Sequence, residues 1–304
     1  MSPHRGSLAS AHLSAIVPTL GKSPWLRACL EALRADGGKD LEIVLVAPAD
    51  LDLDDAGEAA DLRLDAPAPG GFAAATNAGI AASSGELVAT INDDALIQPG
   101  WCAELTAGLA ADPQAGAAQG ANLQLRQPHL VDGLGLEWNR WWQAVQIGHG
   151  EIFEAGLPAR RVFGVSATVA LYRRRALEQA KSDLGQVFDE RLHSYYEDAE
   201  LAGRLRRAGW RALSVPAARA LHAGSTTAGG SVQQWSWIYG NRWLAVAQLL
   251  GHDFSAARSR LLLRDLRDLL RHPRRLRGAL AGWRRARRLL AEFRHDGEAL
   301  LPPH

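Results

Sequence analysis

Four short stretches carry residue types suited to chemistry. Asn92-Asp93-Asp94 places two carboxylates where the chain reads as a tight turn. Oxygen ligands of this kind suit Mg²⁺ or Mn²⁺, and such an ion neutralises a diphosphate. The same tripeptide is also ordinary turn chemistry, so alone it supports either reading. Tyr196-Glu197-Asp198-Ala199-Glu200-Leu201 sets acids at a helix start. Helical spacing puts Asp198 on one apolar face with Leu201, Ala202 and Leu205, which should look inward. Glu197 lies off that face, and Glu200 is expected to pair with Arg204 on the outside. An inward carboxylate needs a partner or a task. The helix N-terminus helps keep it ionised, and an ionised, oriented carboxylate suits a general base. A capping acid is the alternative reading.

The third stretch runs from Leu221 to Thr227 and contains His222, which follows a predicted strand. Its imidazole can reach a metal from there, or can be a satisfied core or surface group. Ser225 and Thr226 are candidate phosphate donors. The fourth, Gly70 to Gly79, has small residues at a predicted helix start, where a phosphate or nucleoside can approach closely. It is neither a Walker A nor a GxGxxG pattern.

These residues need elements to position them. Leu13–Pro18 reads as a strand and Pro24–Arg34 as a helix, with Ser23 as N-cap and Pro24 at its first position. Leu41–Val46 reads as a buried parallel strand. A short strand is possible at 61–64, a helix at 72–83, a strand at 86–91 and a helix at 99–111. The alternation is that of a doubly wound, mainly parallel α/β sheet. Ligands collect at the carboxyl ends of such strands, and the turn after Ile91 is one of those ends. Residues 112–190 read as less regular, with a strand at 162–172. A helix at 195–208, a strand at 210–215 closed by Pro216, an aromatic helix at 232–250 and basic helices over 255–295 complete the pattern.

Bulk properties narrow the class. The 304 residues carry 47% hydrophobic and 22% charged residues, as a soluble globular chain does. A net charge of +1 gives no argument for nucleic acid. Charge is uneven, since residues 251–304 hold 13 Arg against 6 acids, so the remainder is net negative. Two cysteines, Cys29 and Cys102, are too few for a disulfide framework and read as buried reduced thiols. The sequence shows neither a signal-peptide pattern nor a run of about 18 apolar residues. The expectation is a cytoplasmic protein, free or peripheral on the inner face of the membrane.

Taken in order, the motifs resemble family 2 glycosyltransferases of GT-A fold, bacterial rhamnosyltransferase and galactofuranosyltransferase-like members above all. The matching text is Ala15–Thr19, Gly71–Ile80, Gly85–Val88 through Asn92-Asp93-Asp94, Phe188–Glu190 and Tyr195–Asp198. It continues with Leu201, Arg204, Arg207–Trp210, Pro216, His222, Ser225 and Asn241-Arg242-Trp243. The resemblance implies a transferase domain over 13–250 and a basic helical extension over 251–304. It implies Asp198 as the catalytic base, and Asp94 and His222 at a Mg²⁺ or Mn²⁺ ion, His222 reaching metal or diphosphate. Thr19, Gly71, Phe72, Asn77, Asn92 and Asp93 would line the donor, with Asn92 a helper and Asp93 a turn-shaper. The implied reaction is inverting transfer from a nucleoside diphosphate sugar to a hydroxyl of a glycan or lipid-linked glycan.

Departures from the family pattern sit at Leu20-Gly21-Lys22 and at Val46–Asp50, where an Asp beside the nucleoside is usual; only Asp50 is available. No Gln-x-x-Arg-Trp is present, which favours single addition over a processive synthase. Trp138, Trp141 and Trp142 read either as an acceptor platform or as core. The helix around 261–270 sets Leu262, Leu266, Leu269 and Leu270 beside Arg264, Arg267 and Arg271. That arrangement fits either anionic lipid or packing on its own domain. The rival readings are a nucleotidyltransferase and a catalytically degenerate sugar-nucleotide-binding module.

Overall fold

The computed structural model describes residues 12–68, 70–224, 230–293 and 299. The chain opens with β1 (Leu13–Pro18), α1 (Leu26–Gly37), β2 (Leu41–Ala47), β3 (Leu62–Asp65) and α2 (Phe72–Ala82). Next come β4 (Leu87–Ile91), β5 (Ala95–Ile97), α3 (Trp101–Ala111), β6 (Ala115–Gln124) and β7 (Gln127–Gly133). The middle holds β8 (Leu136–Trp138), β9 (Ala144–Gln146), β10 (Arg160–Val162), β11 (Val169–Arg173) and α4 (Arg174–Gln179). The chain ends with α5 (Glu197–Arg207), β12 (Arg211–His222), α6 (Val232–Leu250), α7 (Phe254–Arg271) and α8 (Leu276–Phe293).

The main sheet runs β10-β12-β6-β11-β4-β1-β2-β3. It is parallel from β4 to β3, and β12 is parallel to β6, while β11 enters antiparallel between β4 and β6. Period-two alternation sends β1 to both faces. Leu13, Ala15 and Val17 meet Cys29, Leu30 and Leu33 of α1 and Trp101 and Leu105 of α3. Ile16 turns the other way, towards Ala73 and Ile80 of α2 and Leu201 and Leu205 of α5. Helices therefore cover both faces, as a doubly wound sheet requires. Cys29 is fully buried and Cys102 only partly.

Several expected boundaries move. The helix expected from Pro24 starts at Leu26 after a turn at Pro24-Trp25, where the Ser23 hydroxyl accepts the Trp25 N–H, as an N-cap does, and donates to the Asp93 carbonyl. The strand expected over 162–172 is two strands. Between them the chain leaves the sheet to bridge Gly164 to Leu136 of β8. The strand expected to close at Pro216 continues to His222. Its register on β6 slips between Ser214 and Arg219, and proline needs no ladder partner in an irregular stretch.

The C-terminal helices are locked to α6. Gly240 and Gly282 let α6 and α8 cross at backbone distance, since a Cβ on Gly282 would stand 2.4 Å from the Ser236 carbonyl oxygen. Asp265 of α7, 1% exposed, accepts from Arg242 and from the indoles of Trp243 and Trp283. Removing one partner of a buried ion pair strands the other charge. Asp265→Ala should therefore cost about 3–5 kcal/mol of unfolding free energy, measured by urea titration. A loss well under 1 kcal/mol would show that Arg242 does not depend on this carboxylate.

Candidate active site

The turn after β4 is built before any ligand arrives. The Asn92 N–H donates to the Thr168 carbonyl at 2.8 Å, and the Ala95 N–H returns to the Asn92 carbonyl at 3.1 Å. Thr19, at the end of β1, donates its hydroxyl to Asp93 at 2.5 Å. Asp93 is pushed upward by burial, against that hydrogen bond. Thr19 and Asp93 thus fix the shape of the turn, and Asp94 is left facing the far side.

His222 reaches Asp94 through strand pairing. β5 lies antiparallel to the end of β12, with Ala95 opposite His222. That register brings His222 Nε2 to 3.2 Å from Asp94 Oδ1. Behind the ring, Nδ1 lies 2.9 Å from Asp132 Oδ2 of β7. Burial opposes a charged imidazole here, but the hydrogen bonds to Asp132 and Asp94 outweigh it and lift His222 to about 9. Sequence reading missed Asp132, which a contact across the β6–β7 pair supplies. Among the described residues no three His, Cys, Asp or Glu side chains are grouped as a ready metal cage. Ser225 and Thr226 lie outside the described residues.

The acids of α5 stand beside this turn. Asp198 accepts the Ala199 N–H at 2.7 Å, and the Ala167 N–H and Ser166 hydroxyl also donate to it. The segment 166–168 therefore holds Asp198 on one side and Asn92 on the other. Beside Asp198 a crevice of about 10 Å³, lined by Tyr172, Leu201 and Phe163 among others, has room for no more than about one water. Burial raises both acids above the usual carboxylate range, Glu197 strongly and with the charge of Asp198 as its second cause.

Two expectations about α5 are corrected. Glu197 does not lie off the inward face: it is 8% exposed and its Oε2 has no hydrogen-bond partner. The Glu200–Arg204 pair is inside, at 2% and 9% exposure. Arg204 grips both Glu200 oxygens at 2.7 Å and the Val187 carbonyl at 2.7 Å. The reason is that α5 packs on both sides, with Phe188 on one and α6 on the other. Trp138 and Trp142 are core residues against Phe163 and Tyr196, whereas Trp141 is not in that cluster.

The approach to α5 is an unusual backbone. His193, Tyr195 and Tyr196 have φ of 64°, 71° and 69°, a region bulky side chains avoid. Asn241 of α6 shares its amide N–H groups among the carbonyls of Leu192, Ser194 and Tyr195 at 2.7–2.8 Å. Arg285 of α8 donates to the Asn241 side-chain oxygen and, at 2.7 Å, to the Arg191 carbonyl. The His193 ring stacks on Trp237 at 4.2 Å and fills the space above Gly71, where a Cβ would stand 2.5 Å from the ring.

The donor-lining candidates are distributed unevenly. Thr19, Asn92 and Asp93 share the C-terminal edge of the sheet with Asp94. The first N–H groups of α2 already donate to protein, Phe72 to the Ser194 hydroxyl and Ala73 to the His193 carbonyl. Phe72 meets Phe188 edge-on at 5.8 Å. Asn77 exchanges hydrogen bonds with the Phe188 backbone at 2.8 and 2.9 Å.

Residues 11–240 match the family described as Glycosyltransferase like family 2. The chain belongs to that family. An uncharacterised protein of Sinorhizobium fredii is 28% identical over 71% of this chain and 25% of its own length. The N-acetylglucosaminyl-diphospho-decaprenol L-rhamnosyltransferase of Mycobacterium tuberculosis is 35% identical over 32% of this chain and 31% of its own. The chain thus spans under a third of either relative. GalNAc-T7, solved with UDP, GalNAc and Mn²⁺, superposes with a TM-score of 0.62 at 13% identity, covering 81% of this chain and 49% of that one. A mannosyltransferase of Pyrobaculum calidifontis, solved with GDP-Man and Mn²⁺, gives 0.54 at 17% identity, covering 92% and 87%. The fold is the GT-A arrangement that the resemblance implies.

The buried acid pair makes a pH prediction. With both carboxyls raised, the folded state keeps protons that the unfolded chain has released. Stability therefore falls as pH climbs from the ordinary carboxylate range through the raised one. Glu197→Gln removes one buried acid and its repulsion. Its unfolding free energy should fall less than wild type's between about pH 5 and about pH 8, by on the order of 1 kcal/mol. An unchanged pH slope would mean that the pair does not retain protons in the fold.

Proposed function

We propose that the chain transfers a sugar from a nucleoside diphosphate sugar to a hydroxyl of a glycan or lipid-linked glycan, with inversion, in cell-surface polysaccharide synthesis. The observation that carries the reading is the meeting of Asp94 and His222 at the sheet edge, with Asp198 tied to the same turn through 166–168. Family membership and the rhamnosyltransferase relative support the substrate class, and the two structural neighbours with Mn²⁺ and nucleotides support a divalent ion.

The donor set fits Mg²⁺ or Mn²⁺. Asp94 offers a carboxylate oxygen and His222 an imidazole nitrogen, and Asp132 behind Nδ1 orients the ring as a carboxylate behind a ligating histidine does. Asp94 and His222 would hold such an ion, and diphosphate and water would complete its ligand set. An ion held there supplies charge stabilisation to the leaving diphosphate. The chain's own residues do the rest. Asp198 takes the proton of the acceptor hydroxyl, and three donors fix its carboxylate. Thr19 and Asp93 keep the turn in shape, Asn92 assists from its first position, and the Gly71–Asn77 turn of α2 closes the nucleoside side.

A second reading rests on the lifted His222. As an imidazolium it would contact the diphosphate directly, without an ion.

Donor turnover separates these. Asp198→Asn should keep donor binding and lower turnover about 100-fold or more, the usual worth of a general base. Near-normal turnover in a folded variant removes Asp198 from that role. In a thermal-shift screen of UDP-, dTDP- and GDP-sugars, one donor should raise Tm more with Mn²⁺ than with EDTA, and Asp94→Asn should erase the difference. A donor shift indifferent to EDTA supports the imidazolium reading. Release of pyrophosphate instead of sugar identifies a nucleotidyltransferase, and binding without turnover a degenerate module.

A further inference from the structure

The helix α7 has three sides. Phe254, Ala257, Leu261, Asp265 and Leu269 are buried against the domain. Next to them Leu262, Leu263, Leu266 and Leu270 stand out at 43%, 53%, 44% and 85% exposure. Beyond the leucines come Arg267, Arg271 and Arg264, one guanidinium per turn. Packing accounts for the first side only. Four exposed leucines along three turns form a contiguous apolar ridge, which a lone soluble helix has no reason to keep.

The arginine side is concave. Arg264, Arg267 and Arg271 face Arg140 and Trp141 across a cavity of about 200 Å³. Arg140 and Arg267 lie over the Trp141 ring at 5.2 and 5.4 Å from its centroid. Arg264 donates to Gln143 at 2.8 Å and reaches Asp268 at 3.4 Å. Among the described residues, Arg140, Arg267 and Arg271 make no ion pair with a carboxylate. Several guanidinium groups gathered around one cavity repel each other unless an anion sits between them. Their planar forks suit phosphate oxygens.

We infer that this cavity takes the phosphate or diphosphate of a membrane lipid, with the adjoining leucine ridge seated in the acyl boundary. Charge complementarity and the apolar ridge point to the same occupant: an anionic headgroup joined to hydrocarbon. A free anion explains the arginines but not the leucines, and a second apolar surface explains the leucines but not the arginines. Among the described residues no helix is long and apolar enough to cross a membrane, so contact would be at the surface. The cavity is also linked to the start of α5 through a row of aromatic rings. Trp141 adjoins Trp142, which packs on Trp138, which lies 6.1 Å from Tyr196 at the start of α5. That the bound lipid carries the acceptor sugar rests on the transfer reading; the lipid site itself does not.

Vesicle flotation tests it with the full chain. The chain should float with phosphatidylcholine vesicles containing phosphatidylglycerol and not with phosphatidylcholine alone. Arg267→Gln/Arg271→Gln should weaken binding by about tenfold or more, the worth of two basic groups at an anionic surface. Leu266→Ser/Leu270→Ser should weaken it by a similar factor, as buried methylenes are lost from the lipid. Both variants should keep the wild-type Tm and the donor thermal shift. Absence of wild-type flotation, or flotation indifferent to the arginine pair, overturns the site. So does a Tm rise with inorganic pyrophosphate that Arg267→Gln/Arg271→Gln abolishes in a chain that ignores vesicles, which marks a free-anion pocket. Self-association lost in the leucine variant, without flotation, assigns the ridge to a second copy. Donor shifts that fail while flotation persists count against the transfer reading and leave the lipid site standing.

Discussion

The amide of Asn241 sustains a backbone that no local preference would choose. Three bulky residues between Leu192 and Glu197 sit in the left-handed region, each at a cost of about 1–3 kcal/mol. Only a surrounding structure that over-determines them can hold such a run. Asn241 supplies donors to the carbonyls of Leu192, Ser194 and Tyr195, Arg285 fixes the Asn241 oxygen, and Trp237 backs the His193 ring. The direction in which α5 sets out follows from this arrangement, and with it the position of Glu197 and Asp198. Asn241-Arg242-Trp243 is thus divided by task. Its first residue faces the α5 approach, and the other two face Asp265 of α7.

The opposite half of the site depends on sheet register. Nothing in the sequence near Asp94 mentions His222, 128 positions away. The two meet because β5, three residues long, pairs with the end of β12. One register step would turn His222 to the other face. The parallel core from β4 to β3 supplies the edge on which the turn stands, and the slip in β12 near Pro216 lets that strand continue far enough to deliver the histidine.

Much of this was legible in the residues. β1, β2, β4, α2 and α6 fall within a residue or two of their expected bounds, because each has a strong apolar period or a clear glycine or serine boundary. The order of motifs foretold a GT-A fold, and Asp94 and His222 do come together. What escaped shares one cause: it is decided by distant chain. β6 reads Ala-Gly-Ala-Ala-Gln-Gly-Ala-Asn-Leu-Gln, with scarcely a β-forming residue, and is a strand because β11 and β12 flank it. Glu200 and Arg204 look like an exposed pair at helical spacing, and only the packing of α5 on two sides buries them. Asp132 and Arg285 carry no local signature at all.

The inward and outward sides of the last two helices live under different rules of inheritance. Arg285, Asp265 and Gly282 each answer to a fixed partner on α6, so a change at any of them needs a matching change some 20 to 45 positions away in the chain. On the outer side of α7, Leu262, Leu263, Leu266, Leu270 and Arg271 answer to no such partner, and only Arg264 and Arg267 reach across to Gln143 and Trp141. A lineage can therefore rewrite what this surface meets, step by single step, without disturbing the carboxylates beneath it.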